Sequence, residues 1–177
     1  MNGILPIKIT KSLRKEKMML VFAFSFYFSC PLLAQGDVIS TKPISIVNNT
    51  DLNFGNIAVS SAGGRVILAP NGTRTSTGGI TLPATAGSTT SAKFTVTGES
   101  YLTYTILLPT SDLILTETLG ALETMTVNAF TSDPNTVGVI ITGTAVIVVG
   151  ATLNVAAFQQ KGLYTNSRGF EVSINYN

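Results

Sequence analysis

The sequence predicts an all-β domain, folded as an antiparallel sandwich or barrel of short strands. After the N-terminal segment, apolar residues alternate with polar ones, which is the period of a strand that buries one face. Glycine, proline and asparagine interrupt this alternation roughly every 8 to 15 residues, as expected of turns between short strands. No segment carries a convincing helical pattern, and no repeat, charge run or linker divides the chain. A single domain is therefore expected.

The strands are indicated by alternating apolar positions separated by threonine or other polar residues. These positions are, in chain order, Ile44 and Ile46, Val66 and Leu68, Phe94 and Val96, the face Leu102, Tyr104, Ile106 and Leu108, and the face Met125, Val127 and Ala129. Threonine suits the wet face of a sheet because its branched side chain favours extended backbone and its hydroxyl tolerates water. Pro70-Asn71-Gly72 and Asp133-Pro134-Asn135 are predicted turns.

Three segments are harder to interpret from the pattern. Residues 137–149 are almost wholly apolar but too short for a membrane span, and we expect two central strands meeting near Thr142-Gly143, with 145–149 buried on both faces. A single long strand bent at Gly143 is the alternative. Residues 71–90 are rich in Ser, Thr and Gly and predict a long, mobile loop with a short edge strand near Ile80. Residues 153–160 are compatible with a helical turn.

The N-terminal segment has the layout of a secretory signal. Its basic residues are Lys8, Lys11, Arg14, Lys15 and Lys17. Residues 18–34 are uncharged and end in Leu32-Leu33-Ala34, a small residue at the expected cleavage point. We predict that residues 1–34 are a signal peptide and that residues 35–177 form the exported domain, extracellular, on the cell surface or periplasmic. An uncleaved anchor is the alternative, since 17 uncharged residues reach the lower limit of a span.

The charge of the mature chain excludes several classes of protein. Removing residues 1–34 leaves six basic and eight acidic residues, a formal charge of −2. A basic surface for nucleic acid is therefore not expected, and no membrane span is expected after cleavage. The chain has no histidine and its one cysteine, Cys30, lies in the predicted signal. The mature domain thus lacks the base of Ser-His and Cys-His nucleophilic systems and the usual ligands of zinc.

Carboxylates are the remaining candidates for chemistry. Asp112, Glu117 and Glu123 could in principle serve a glycosidase-like hydrolase, but they are spaced along strand-like segments as solvated strand ends are. Asp133 with Asn135 is too sparse to form a calcium site. We therefore predict a protein that is not an enzyme, with no catalytic, cofactor-binding or metal-binding residues and no cofactor.

The C-terminal segment 169–177 alternates without interruption. Its apolar positions are Phe170, Val172, Ile174 and Tyr176. One interpretation is that this strand completes its own sandwich. The other is that its edge is offered to a second chain, because strand addition joins chains through main-chain hydrogen bonds while alternate side chains fill pockets.

Several short motifs, taken in order, resemble an exported bacterial family known as domain of unknown function 4402. They are Leu52-Asn53-Phe54-Gly55, Gly64-Arg65-Val66, Pro70-Asn71-Gly72, Phe94-Thr95-Val96-Thr97-Gly98, Met125-Thr126-Val127, Gly150-Ala151-Thr152-Leu153, Gly162-Leu163-Tyr164 and Val172-Ser173-Ile174-Asn175-Tyr176. The resemblance covers nearly all of the mature chain and implies a secreted, immunoglobulin-like sandwich. A looser likeness connects it with spore coat protein U and fimbrial subunits, and it implies no catalytic residues.

Fimbrial subunits are also similar in ending on an alternating strand with a penultimate aromatic residue, here Tyr176. This chain departs from many of them because it lacks a cysteine pair and because residues 37–42 alternate poorly.

The sequence thus predicts a noncatalytic, exported cell-surface or fimbria-like structural or adhesive subunit, which self-associates or joins fimbria-like subunits through edge strands. The residues expected to take part are Val38, Ile44, Ile46, Phe170, Val172, Ile174 and Tyr176. The alternative is a glycan- or protein-binding surface module, although the chain offers no tryptophan as a sugar platform.

Overall fold

The computed structural model describes residues 4–5, 7–9, 42–120 and 123–177, and every regular element in these ranges is a β-strand. The strands are β1 (Ile4–Leu5), β2 (Ile7–Ile9), β3 (Ser45–Thr50), β4 (Asn53–Phe54), β5 (Ile57–Leu68), β6 (Arg74–Thr81), β7 (Thr89–Thr90), β8 (Ala92–Thr97), β9 (Thr103–Leu107), β10 (Leu113–Glu117), β11 (Thr124–Asp133), β12 (Val137–Val139), β13 (Thr144–Val155), β14 (Tyr164–Asn166) and β15 (Ser173–Tyr176). The predicted all-β, antiparallel, immunoglobulin-like sandwich is confirmed.

The strands form two sheets of unequal size. The small sheet has the order β12-β9-β15. The large sheet is organised around β13, whose first half pairs with β8 and whose second half pairs with β5. On its other side β13 pairs with β11, and the sheet continues through β10 to β14. β3 extends the sheet beyond β8, and β6 extends it beyond β5.

Two short strands come from the segment that the sequence predicts to be a signal peptide. The backbone of β1 pairs with the beginning of β5. The backbone of β2 lies between β14 and β4, parallel to β14 and antiparallel to β4. The rest of the predicted signal lies outside the described residues.

The core contains apolar faces that the alternation predicted, with most of its side chains from the large sheet and others from the small sheet. Fully buried members include Val66, Val96, Tyr104, Val127 and Leu153. Tyr104 of β9 faces Gly138 of β12 in the antiparallel register, and a side chain at Gly138 would overlap the tyrosine ring. The small sheet can therefore cover the core closely because β12 has a glycine at this position.

The prediction of a long loop over residues 71–90 is wrong, but the edge strand expected near Ile80 is confirmed and is longer than predicted. Pro70-Asn71-Gly72 makes the predicted turn, with the amide of Gly72 donating to the carbonyl of Ala69 at 2.9 Å. The eight-residue strand β6 follows and pairs with β5 as a hairpin. The alternating threonines of this stretch form a strand because β5 supplies a partner for them, which the composition alone does not show.

The segment 137–149 also differs from its prediction. It does form two strands, but β12 is an edge strand of the small sheet, and Val137 and Val139 are exposed on its outer face. In β13, Val146 is 55% exposed, so the first half of this strand buries one face only. The apolar run thus does not mark a strand buried on both sides.

Two smaller expectations fail for local reasons. Ala129 is exposed because a register shift between Asn128 and Thr131 interrupts β11, and Ala129 has a φ of 47°. Residues 153–155 belong to β13, and a turn instead of a helical turn follows at residues 157–158. A bulge changes which face a side chain occupies, and this cannot be read from alternation.

In the part of the chain that is described, no helix is long and apolar enough to cross a membrane.

Candidate functional site

Two strand edges face the same opening at one side of the sandwich. Within the described ranges, β3 pairs only with β8, and β15 pairs only with β9. The two strands nevertheless contact each other across the edges of the two sheets. We call the space between them the β3–β15 opening. Each of its strands has one row of main-chain groups that no described strand pairs with.

Partly buried apolar side chains line the β3–β15 opening. Ile44 and Ile46 from the β3 side and Ile174 and Tyr176 from β15 pack against the core without being fully buried. An additional strand laid along either edge would satisfy free main-chain groups beside these side chains. The structure thus brings together four of the residues that the sequence predicts for assembly.

Tyr176 fixes one end of the opening. Its hydroxyl donates to the carbonyl oxygen of Lys42 at 2.7 Å and accepts from the amide of Glu99 at 2.6 Å. The amide of Lys42 in turn donates to the Glu99 carboxylate at 3.2 Å. A side chain at Gly98 would overlap the Tyr176 hydroxyl, so this glycine permits the approach. The end of β15 and the residues before β3 are therefore tied together.

Phe170 and Val172 precede β15 and anchor the other end of the opening. Val172 is buried. The Phe170 ring packs on Phe130 with ring centroids 4.9 Å apart and makes an edge contact with Phe94 at 6.0 Å. These two residues thus belong to the domain's own core. The remaining predicted assembly residue, Val38, lies outside the described residues.

An open cleft of about 470 Å³ lies at the Phe170 end of the opening. Its apolar walls come from Leu107, Leu108, Leu113 and Phe170, and its charged lining residues are Asp112 and Glu171. Ser173 lines the cleft too, and it is the first residue of β15 and the register partner of Leu107 in β9. The cleft is therefore continuous with the edge of β15. Alternation and composition do not predict this cleft, because its lining comes from two segments, 107–113 and 169–173, that are distant in the chain.

The three carboxylates considered as candidates for a hydrolase do not all lie together. Asp112 stands before β10 and accepts from the Asn128 amide at 3.1 Å, whereas Glu117 ends the same strand. Glu117 and Glu123 face each other across the β10–β11 hairpin, where the Glu117 amide donates to the Glu123 carbonyl at 2.9 Å. Asp112 is therefore separated from both glutamates by the length of β10.

The two glutamates hold backbone groups near Tyr164. Both carboxylate oxygens of Glu117 accept from the Leu119 amide at 2.8 Å. Glu123 accepts from the Gln159 side chain at 2.9 Å and from the Gln160 amide at 3.1 Å. Burial, with smaller contributions from the two carboxylates, raises the pKa of Tyr164 above its usual value, although the Gln159 hydrogen bond opposes this.

Through these hydrogen bonds, both glutamates support the loops beside β14. No group of three or more potential His, Cys, Asp or Glu metal ligands occurs within residues 42–120 and 123–177. That the protein has no catalytic role stays a prediction.

The described strands define an all-β sandwich domain in which β3 and β15 each pair with one described strand. Residues 44–176 match the family described as "Domain of unknown function (DUF4402)", and the chain belongs to this family. The resemblance found in the sequence motifs is thereby confirmed. No curated protein and no solved structure matches the chain.

Proposed function

We propose that this protein is a noncatalytic, exported structural subunit of the cell surface that joins other subunits by strand addition at the β3–β15 opening. The observation that carries the proposal is the convergence of two unpaired edges on one row of incompletely buried apolar side chains. Each edge offers main-chain donors and acceptors, and the side chains between them offer apolar surface.

The composition of the two edge strands supports this function. Soluble proteins commonly protect exposed edges with lysine, proline or inward-pointing charges. β3 reads Ser-Ile-Val-Asn-Asn-Thr and β15 reads Ser-Ile-Asn-Tyr, so neither strand contains a charged residue or a proline. Edges of this kind favour pairing with another chain.

The direction of the free groups can be assigned for β15. The amide of Asn177 donates to the carbonyl of Thr103 in β9. Because main-chain donors alternate in an antiparallel ladder, the amides of Ile174 and Tyr176 point away from β9 and toward the opening. A partner strand would therefore bond to the same two residues whose side chains line the opening.

A matched pair of lysine substitutions tests the proposal. Val47 in the edge strand β3 and Val146 in the interior strand β13 lie in the same row, each paired with Thr95 of β8. Their exposed fractions are similar, 53% and 55%. A lysine at Val47 protects the edge, whereas a lysine at Val146 adds the same charge two strands away.

The mature protein is purified from its native envelope without denaturation and sized by sedimentation velocity. We expect the wild type and Val146→Lys to assemble and Val47→Lys to be mainly monomeric. Intact-mass measurement of the same material should show cleavage between Ala34 and Gln35. A wild-type protein that is monomeric at all concentrations would contradict the proposal and favour a glycan- or protein-binding module. Equal assembly of both variants would exclude β3 as the edge involved.

A further inference from the structure

The cleft lies where a strand added to β15 would end. Tyr176 is tied to Lys42 at one end of the opening, whereas Phe170 contacts Phe94 at the other. Phe94 is the register partner of Asn48 in β3, so β3 and β15 run in opposite directions along the opening. The cleft adjoins the Phe170 end and includes Ser173. A strand added along β15 would therefore run either from Tyr176 toward the cleft or from the cleft toward Tyr176.

The chemistry of the cleft favours a long basic side chain. Its walls are apolar, and the charged groups among its lining residues are the carboxylates of Asp112 and Glu171. The Asn128 amide donates to Asp112 and orients this carboxylate. Lysine and arginine bury their aliphatic stems on apolar surface and keep the cationic head beside carboxylates. An anionic group would be repelled by both acidic side chains.

The mature chain carries a segment that could supply this side chain. Residues 35–42 precede β3, and Lys42 is the one basic residue in them. Eight extended residues span about 26 Å, which exceeds the roughly 13 Å of the four-residue strand β15. The Lys42 side chain is exposed, and its backbone is fixed beside Tyr176, at the opposite end of β15 from the cleft. In a second copy, Lys42 therefore lies at the Tyr176 end, and this end can face the cleft of the first copy.

An antiparallel alignment places Lys42 at the cleft. β15 runs from Ser173 to Tyr176, so an antiparallel strand enters beside Tyr176 and ends beside Ser173. Because β3 and β15 run in opposite directions, an added strand is antiparallel to one of them in either orientation, and the orientation antiparallel to β15 is the one that brings a basic side chain to the acidic cleft. When residues 35–42 of a second copy lie in this direction, the C-terminal member, Lys42, reaches the end at which Asp112 and Glu171 stand.

Building on the strand-addition function, we propose that the cleft receives the Lys42 side chain of a second copy of this chain, between Asp112 and Glu171. Lys42 and the cleft are different surfaces, which adjoin the two ends of β15. The contact can therefore repeat from one copy to the next and produce an open, head-to-tail filament.

Charge reversal tests the contact on both sides. Lys42→Glu alters the inserted side chain, and the double variant Asp112→Lys, Glu171→Lys alters the cleft. We expect each variant to lose about tenfold or more in apparent association constant, as for reversal of one side of a partly desolvated charge contact. Lys161→Glu is the matched control, because Lys161 is exposed in the loop before β14 and makes the same charge change. This control should assemble like the wild type.

Mixing the variants gives the decisive result. Lys42→Glu protein has an intact cleft and an acidic insert, whereas the cleft variant has a basic cleft and an intact insert. In the mixture the acidic insert should bind the basic cleft and the intact Lys42 insert should bind the intact cleft. An equimolar mixture should therefore form alternating oligomers in sedimentation velocity although each protein alone is monomeric.

The outcomes separate the two proposals. A wild type that never assembles contradicts strand addition itself. A wild type that assembles while Lys42→Glu assembles equally well overturns only the cleft contact. Loss of assembly in both variants without recovery in the mixture also overturns the charge contact, provided that both variants are folded. Circular dichroism and thermal melting of each variant check that it is folded.

Discussion

The hydroxyl of Tyr176 donates a hydrogen bond to the carbonyl oxygen of Lys42 across 2.7 Å, so the penultimate residue holds the backbone that leads into β3. The two residues are separated by 134 positions in the chain. This bond closes one end of the β3–β15 opening without pairing the strands themselves. It keeps two free edges at a fixed separation, which is the preorganisation that an added strand would exploit.

Replacing Tyr176 by Phe should destabilise the domain by about 1–3 kcal/mol, because two hydrogen bonds with main-chain groups are lost while the ring remains. Urea unfolding of the monomeric Val47→Lys background measures the effect without assembly. Tyr101→Phe is the control, since Tyr101 is 81% exposed and should change the free energy of unfolding by less than about 0.5 kcal/mol. Equal stability of the two variants would contradict the proposed role of the hydroxyl.

Ile106 and Leu107 test which face of β9 carries the core. Ile106 is buried, whereas its neighbour Leu107 is 52% exposed on the opposite face. Ile106→Ala should cost about 2–5 kcal/mol through lost burial and the cavity left behind. Leu107→Ala removes a similar volume and should cost much less. Thermal or urea unfolding that gave both variants the same stability would show that the register of the small sheet is wrong.

The two fully buried tyrosines should respond oppositely to loss of the hydroxyl. The Tyr104 hydroxyl is buried and has no hydrogen-bond partner among the described residues, so Tyr104→Phe should leave stability unchanged or raise it. The Tyr164 hydroxyl donates to the Gln160 carbonyl and accepts from the Gln159 amide, both at 2.9 Å. Tyr164→Phe should therefore cost about 1 kcal/mol in urea unfolding. A larger loss in Tyr104→Phe than in Tyr164→Phe would refute this assignment.

The same tyrosines predict a loss of stability in alkali. Burial raises the pKa of both Tyr104 and Tyr164 above the usual value of 10.0. The unfolded state then loses its phenolic protons first, so the contribution is complete below pH 10 and declines as the pH rises from there toward the folded pKa. Urea midpoints measured from pH 8 to 11 should fall for the wild type, and less steeply for the Tyr104→Phe variant.

The alternation of apolar residues was sufficient to predict most of the core. Val66, Leu68, Phe94, Val96, Tyr104 and Ile106 are all buried as their spacing indicated. This prediction succeeds because a strand with one solvent-exposed face places an apolar residue at every second position. That alternation is visible in the sequence without knowledge of the partner strand. The predicted turn at Pro70-Asn71-Gly72 succeeded for a similarly local reason.

The failures occur where the outcome depends on a partner strand. Threonine-rich β6 is a strand because β5 lies beside it, and apolar β12 is exposed because no described strand covers it on its outer side. The candidate site divides in the same way. The apolar row of Ile174 and Tyr176 could be predicted from alternation, but the cleft could not, since Asp112 and Glu171 come to line the same cleft only through the tertiary fold.

Removal of residues 169–177 should destabilise or unfold the monomer. The segment contributes buried Val172 and partly buried Phe170, Ile174 and Tyr176 to the core. Each fully buried apolar side chain stabilises a protein by about 1.5–3 kcal/mol, and a whole domain is stable by only about 5–15 kcal/mol. Losing this strand therefore removes a large share of the total.

The alternative is that the C-terminal strand serves assembly alone, in which case the truncated protein would remain folded and lose only its association. Thermal melting and size-exclusion chromatography of the chain ending at Arg168 distinguish the two cases. Ile174→Ala provides a milder version if the truncated protein is degraded, and it should lower the melting temperature of the monomer as well. A fully stable, folded monomer lacking residues 169–177 would show that β15 is not part of the domain's own core, because its packing would then contribute nothing that the remaining strands do not supply.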